Sequence, residues 1–249
     1  MKFDNIIANR ADKIVYRDEN LKIKVYDETI SKVDVLNSAL NQAKIEETGL
    51  SVPKLHAVTT HEGKWVVIMD YIQGIPLDVL MRENPDKEDE YLQKFIDLQA
   101  LVHTKRAPGL LKIKEKMASK ISQTEFDDAL KYELHARLEG MPNHNKLCHG
   151  DFNPSNVIVQ ENGDMCIIDW SHATQGNASA DVARTYLIFK LEGKFELAEK
   201  YLSMFCSKTG IPRSYYLRWL PIVAASQTVK KIPSERENLV KWVNVVDFE

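Results

Sequence analysis

The period of the apolar positions changes near residue 71. LKIKVY (21–26) alternates, with Leu21, Ile23 and Val25 on one face and Lys22, Lys24 and Tyr26 on the other, the period of a half-buried strand. WVVIMDY (65–71) is a near-continuous apolar run and predicts a buried strand. Between them Ser31 opens a predicted helix with Asp34 at the capping-box position. Val33, Leu36, Leu40 and Ala43 supply its expected apolar stripe, and Gly49 its expected terminator. After Pro85 the spacing becomes helical. KEDEYLQKFIDLQALVHTK places Leu92, Phe95, Gln99 and Val102 on one face, with Ile96 and Leu98 beside them. One or two helices are expected over 113–139, and further helices over 181–206, 213–229 and 234–246, punctuated by Pro212 and Pro233. Strands with one helix, followed by helices, predict an α+β chain.

One stretch interrupts the helical half. In LCHGDFNPSNVIVQENGDMCIIDW (147–170), the runs NVIV and MCIID flank Asn162-Gly163, a strong hairpin signal. A two-residue type I′ turn there would set Glu161 against Asp164 and Asn156 directly against Asp169. Directly opposed residues share a face with Cβ atoms about 4.5–5.5 Å apart. An amide oxygen and a carboxylate so placed suit Mg²⁺, which takes few protein oxygens and fills its octahedron with water and phosphate. Asp151, in the loop leading into the first strand, adds a carboxylate able to orient a hydroxyl for attack on phosphorus. A hairpin with merely polar ends gives no reason for the three to converge.

These residues resemble a known signature. His149-Gly150-Asp151, then Asn156, then Asp169-Trp170 is similar to the HGD-x4-N and D-[WF] motifs of the aminoglycoside phosphotransferase and choline kinase superfamily. The resemblance implies a protein-kinase-like two-lobed fold: a small β-sheet lobe with one helix and the hinge over residues 1–74, and a mostly helical lobe over 75–249. It implies ATP and Mg²⁺ as cofactors and transfer of the γ-phosphoryl group to a hydroxyl of a small molecule. By position, Asp151 matches the catalytic base, and Asn156 and Asp169 the Mg²⁺ ligands. Lys24 matches the lysine that contacts nucleotide phosphates, with Lys22 a rival because both point the same way. Asp70, Tyr71 and Ile72 match the hinge that bonds the adenine edge, with Met69 at the back of that pocket. Asp181 matches the acid that anchors the catalytic-loop backbone, while an N-cap role would serve it equally. His103, at the end of its helix, reads as a capping or core residue.

Composition adds exclusions. The chain has 249 residues, 44% of them hydrophobic and 28% charged, long enough for one large or two small cores. Its 33 basic and 36 acidic residues are interspersed, giving a net charge of −3, without the basic stripe of a nucleic-acid or membrane-surface binder. Asp4 falls where a signal peptide needs apolar residues, and no apolar run reaches a membrane span of roughly 20 residues. Cys148, Cys166 and Cys206 lack metal-ligand spacing and read as structural thiols. A reducing cytoplasm fits these features.

Two departures qualify the resemblance. The helix region LNSALNQA holds Ser38 where related kinases carry a glutamate paired with the strand lysine, and IIANRADKIVYRDEN has no glycine to let backbone approach phosphate. They favour the alternative of a nucleotide-binding pseudokinase acting as an interaction module. The intact Asp151, Asn156 and Asp169 favour the enzyme. A protein kinase is disfavoured, since Gly150 replaces the HRD arginine and no A-P-E motif separates Asp169 from Asp181. The acceptor stays open. Asp127, Asp128, Glu133 and Asp247 would suit a polycation, whereas Trp219, Tyr215 and Trp242 would suit a quaternary ammonium.

Overall fold

The computed structural model describes residues 2–243. Asp247 and the end of the helix expected over 234–246 lie outside them. The chain divides into two compact units, one of residues 1–85 with 154–172, the other of 86–153 with 173–249. The first unit therefore extends past the sequence-based limit at residue 74 and takes in the hairpin.

The first unit is built on an antiparallel sheet of β1 (Ile6–Asn9), β2 (Lys13–Asp18), β3 (Leu21–Tyr26), β4 (Leu55–His61) and β5 (Lys64–Asp70), in the order β1-β2-β3-β5-β4. Alternation in β3 sorts its two faces. Ile23 joins Val66 and Ile68 on one side, while Tyr26 joins Val67, Met69 and Val35 on the other. The second cluster seats α1 (Lys32–Glu46), whose N-cap Ser31 accepts the Asp34 N–H at 3.1 Å as expected. The expected apolar stripe of α1 is corrected. Its buried residues are Val35, Ala39, Gln42 and Ile45, whereas Val33, Leu36 and Leu40 are exposed. Gln42 belongs inside because its amide donates to the Pro53 carbonyl at 2.6 Å, a partner that polarity alone does not reveal. Gly49 is left-handed, but the C-cap itself is Glu47. The short helix α2 (Leu77–Glu83) completes this unit beside the hairpin.

The hairpin register is also corrected. Val157 pairs with Ile167, Ile158 with Cys166 and Val159 with Met165, one residue away from the expected pairing. Only Gly163, at φ +85°, has a positive φ in the loop; Asn162 does not. A type I′ turn needs both. The loop instead has three residues, closed by Gly163 N–H to Gln160 O at 2.9 Å and Gln160 N–H to Asp164 O at 2.8 Å, with the glycine in the left-handed position. The Asn162 side chain accepts from the Asp164 N–H at 3.0 Å, which gives it a role without positive φ.

The second unit is mainly helical: α3 (Glu88–Val102), α4 (Ile113–Ser122), α5 (Asp128–Glu139), α6 (Ala178–Leu191), α7 (Phe195–Thr209), α8 (Arg213–Leu217), α9 (Leu220–Thr228) and α10 (Pro233–Val243). The helical span expected over 181–206 is two helices, broken at the left-handed Gly193, and that over 213–229 is also two. Helix α6 is buried on all sides over most of its length. Its Phe189 and, around it, Phe95, Phe152, Tyr201, Phe205 and Tyr216 form a chain of edge-on and tilted rings. Trp219 is fully buried and belongs to this core rather than to a ligand cage. Among the described residues no helix is long and apolar enough to cross a membrane.

Candidate active site

Lys24 is 4% exposed on β3, paired with Val67 of β5, and its Nζ lies 3.3 Å from Oδ1 of Asp169. Two neighbours add positive charge: Lys22 on the same face of β3, and Lys13 at the start of β2. Partial burial opposes ionisation of Asp169, but Lys24, Lys13 and Lys22 outweigh it and hold the carboxyl far below its ordinary range. In return Asp169 and Asp12 raise the Lys13 pKa against the effect of burial. Asp169 favours the charged form of Lys22 too, but burial and then Lys24 outweigh it and push it down to about 8.

The backbone of Asp169 is left-handed, at φ +63°, which is uncommon for any residue but glycine. It turns the chain out of the strand Met165–Ile167 into the short 3₁₀ turn Trp170–His172. There Ser171 Oγ donates to Asp169 Oδ1 at 3.3 Å, and Asn41 of α1 donates to the Ser171 carbonyl at 3.2 Å. Lys24 and Ser171 both bond to Oδ1 of this carboxylate. Asn156 closes the 3₁₀ turn Pro154–Asn156, and its carbonyl accepts from Ile168 at 2.9 Å. In the corrected register Asn156 is opposite Ile168, one residue short of Asp169, so direct strand opposition does not join the two. Both stand at the ends of the ladder, where 3₁₀ turns rather than the pleat set their directions. An amide and a carboxylate whose pKa is held far below its ordinary range remain a hard-oxygen donor set suited to Mg²⁺.

The expected hinge leaves β5. Asp70 N–H donates to Lys54 O at 2.9 Å and Tyr71 N–H to Asn20 O at 2.8 Å, so both amides are engaged within the unit. The Ile72 N–H has no such partner among the described residues. The Asp70 carboxylate takes the Lys54 N–H at 2.9 Å and His56 Nε2 at 2.7 Å. Met69 packs with Tyr26, Val35 and Val67. Gly74 follows because nothing larger fits: an added Cβ would lie 2.4 Å from the Val159 carbonyl oxygen.

In the second unit the loop carrying Asp151 is held from α6. Asp181 Oδ1 accepts the Gly150 N–H at 2.7 Å, and Oδ2 accepts the His149 N–H at 3.1 Å with His103 Nε2 at 3.0 Å. Burial opposes its ionisation, yet His103, the charge of His149 and the Gly150 N–H bring the Asp181 pKa below its ordinary value. The N-cap role falls to Asn177, whose side chain accepts from Ser179. One turn on, Thr185 Oγ1 donates to the Phe152 carbonyl at 2.7 Å. Asp151 itself accepts from Arg184 Nη2 at 3.1 Å and from Asn153 Nδ2 at 3.4 Å.

A family model described as the phosphotransferase enzyme family matches residues 24–217. The chain belongs to that family. The match supports a small-molecule kinase and agrees with the superfamily that the signature resembles. No curated protein matches the sequence. Solved structures of this fold include a thermostable mutant of aminoglycoside phosphotransferase APH(4)-Ia without ligand, 16% identical, covering 96% of this chain and 90% of that one at a TM-score of 0.69. Choline kinase LicA from Streptococcus pneumoniae is 17% identical over 96% of this chain and 92% of that one, at a TM-score of 0.65. Aminoglycoside phosphotransferase APH(3'')-Id from Streptomyces rimosus, in complex with ADP and streptomycin, is 14% identical over 84% and 90%, at a TM-score of 0.59.

Within the phosphotransferase, Arg184 and Lys13 went unnoticed in the sequence. Arg184 carried a usable signal, since it lies three residues after Asp181 and so near its face of the helix. Lys13 carried none: it reaches Asp169 only because β2 pairs with β3. No glutamate of α1 meets Lys24 among the hydrogen bonds of the described residues; Glu46 instead accepts the Leu55 N–H at 2.7 Å. The three cysteines are free, and burial raises all their pKa values, Cys166 to about 11, as expected of inert thiols.

Proposed function

We propose that the chain transfers the γ-phosphoryl group of ATP to a hydroxyl of a small molecule, with Asp151 as general base. The observation that carries the proposal is the Lys24–Asp169 pair, a buried ammonium set against a carboxylate kept ionised by three lysines. An acid so stabilised has no structural use for three cations, whereas a metal-bound triphosphate does. The unit of residues 1–85 with 154–172 serves for nucleotide, hinge and metal-binding hairpin, and the unit of 86–153 with 173–249 carries the base.

The Ile72 N–H is the hinge donor available to an adenine edge, and Met69 closes the apolar floor behind it. Lys24 contacts phosphate oxygens. Asn156 and Asp169 would hold Mg²⁺, which when bound neutralises charge developing on the β- and γ-phosphates. Asp151 accepts the proton of the acceptor hydroxyl as its oxygen bonds to the γ-phosphorus and the bond to the bridging oxygen of ADP breaks. Relatives with ADP or AMP-PNP and with hygromycin B or streptomycin support this reading of nucleotide and hydroxyl acceptor.

The absence of a helix acid at Lys24 favours a second reading, the nucleotide-binding pseudokinase. The two part on turnover. With Mg²⁺ and ATP, the enzyme forms ADP in the presence of hydroxyl compounds, and Asp151→Asn lowers that rate by about 10²–10⁴-fold while calorimetry finds ATP affinity intact. Binding without any turnover by the native chain would select the pseudokinase.

A further inference from the structure

Four cations gather around Asp151. Lys116 and Lys120 stand one turn apart on α4, and therefore on one face. Helix α4 packs on α9, which packs on α6; Lys230 follows the end of α9 and Arg184 rides on α6. Lys116, Lys120 and Lys230 each sense the Asp151 charge, and Lys120 and Lys230 each sense Arg184. One carboxylate, already bonded to Arg184, faces them.

The nearby acids are spent elsewhere. Asp181 is bound to His103 and the loop amides. Glu125 pairs with Lys231 and Arg236, Asp127 caps α5 and Glu133 pairs with Arg137. Glu235 contributes weakly to Lys230. Among the described residues neither the Lys120 nor the Lys230 side chain has an ion-pair partner. Burial and neighbouring cations push Lys116 and Lys120 down to about 8, Lys116 against the opposing pull of Asp181 and Asp151 and Lys120 against that of Asp151. Arg184, 9% exposed, keeps a buried Nε with no hydrogen-bond partner. A buried guanidinium with an idle donor, ringed by ammonium groups, is a receptor for oxyanions.

We propose that the acceptor bears an anionic group, phosphate or carboxylate, received by Lys116, Lys120, Arg184 and Lys230 while its hydroxyl meets Asp151. The inference rests on the phosphotransferase reading and narrows it: amino sugars and quaternary ammonium alcohols would bring like charge to this ground.

Calorimetry on the full chain tests it. Inorganic phosphate serves as a probe independent of any carbon skeleton, titrated with and without saturating Mg²⁺ and AMP-PNP. Glucose 6-phosphate, gluconate, glucose and glucosamine then separate phosphate, carboxylate, neutral and cationic acceptors. Phosphate should bind in both states, and Lys120→Gln should weaken it roughly tenfold while Lys120→Arg retains it and nucleotide affinity holds. Turnover should appear with anionic acceptors before cationic ones and fall as salt rises. Phosphate binding indifferent to Lys120→Gln, or glucosamine preferred to its anionic counterparts, overturns the inference while nucleotide binding leaves the kinase reading standing. Loss of nucleotide affinity in Lys120→Gln also overturns it, by assigning the lysines to ATP. Failure of the native chain to bind nucleotide, with Lys120-dependent phosphate binding retained, would fell the kinase reading and keep the anion site.

Discussion

Arg184 Nη2 stands 3.1 Å from Oδ1 of Asp151, and the same helix holds the Asp151 loop through Asp181, one turn earlier. One rigid, buried element thus fixes both the backbone of the loop and the direction of its carboxylate. A base must present a lone pair to the acceptor proton, and a guanidinium held on one oxygen fixes the direction in which the carboxylate faces.

Arg184→Gln should therefore lower kcat by about 10–100-fold, as misplacement of a catalytic group does, with ATP affinity unchanged. Arg184→Lys should recover only part, since an ammonium lacks the planar fork. Calorimetry beside steady-state kinetics reads both. A variant with lost ATP affinity and unchanged kcat would remove Arg184 from this positioning role.

Lys24→Ala should harm ATP binding or turnover more than Lys22→Ala. Lys24 is 4% exposed and bonded to Asp169, whereas Lys22 is partly exposed and adds charge at longer range. Equal or reversed effects in Michaelis constants for ATP would give Lys22 the phosphate role.

Asn156→Ala and Asp169→Ala should each remove most of the activity, and the double variant little more, because ligands of one ion act as a unit. Raising Mg²⁺ should rescue Asn156→Ala more than Asp169→Ala, as water replaces a neutral amide but not a charge. Independent, additive losses across a Mg²⁺ series would separate the two residues.

Stability should rise with pH above about 8. Lys22, Lys116 and Lys120 sit near 8 in the folded chain against an ordinary 10.5, so between these values the unfolded chain binds more protons. The repulsion is present in full below 8 and is relieved as pH climbs towards 10.5. At pH 7 Lys120→Met should then raise Tm by about 1–3 °C, a gain that shrinks by pH 10. Differential scanning fluorimetry across that range decides; a lowered Tm at pH 7 would mean that Lys120 is already neutralised.

Gly74→Ala should destabilise by about 1–3 kcal/mol. Its Cβ would meet the Val159 carbonyl at 2.4 Å, backbone against backbone, and neither strand end can retreat without opening the Ile75–Val159 pair. Urea unfolding with an unchanged midpoint would show that the chain ends there are looser than their spacing.

The sequence determined what depends on local pattern and chemistry. Alternation in β3 sorted Ile23 from Lys24, the Ser31–Asp34 pair marked the start of α1, and the order of His149, Asp151, Asn156 and Asp169 announced the family, because these are short-range relations between neighbours in the chain. Tertiary structure decided whatever depended on a partner far along it. The stripe of α1 turned inward at Val35 and Gln42 instead of Leu36 and Leu40, because Pro53 offers Gln42 a carbonyl and the sheet offers Val35 a seat. The hairpin slipped one residue from the expected pairing because Gly163 alone took the left-handed position and lengthened the loop. Lys13 reached Asp169, and Lys116, Lys120, Arg184 and Lys230 reached Asp151, only when separate strands and helices packed together. Charge acts through space, and a linear sequence does not record which charges folding will bring within range of one another.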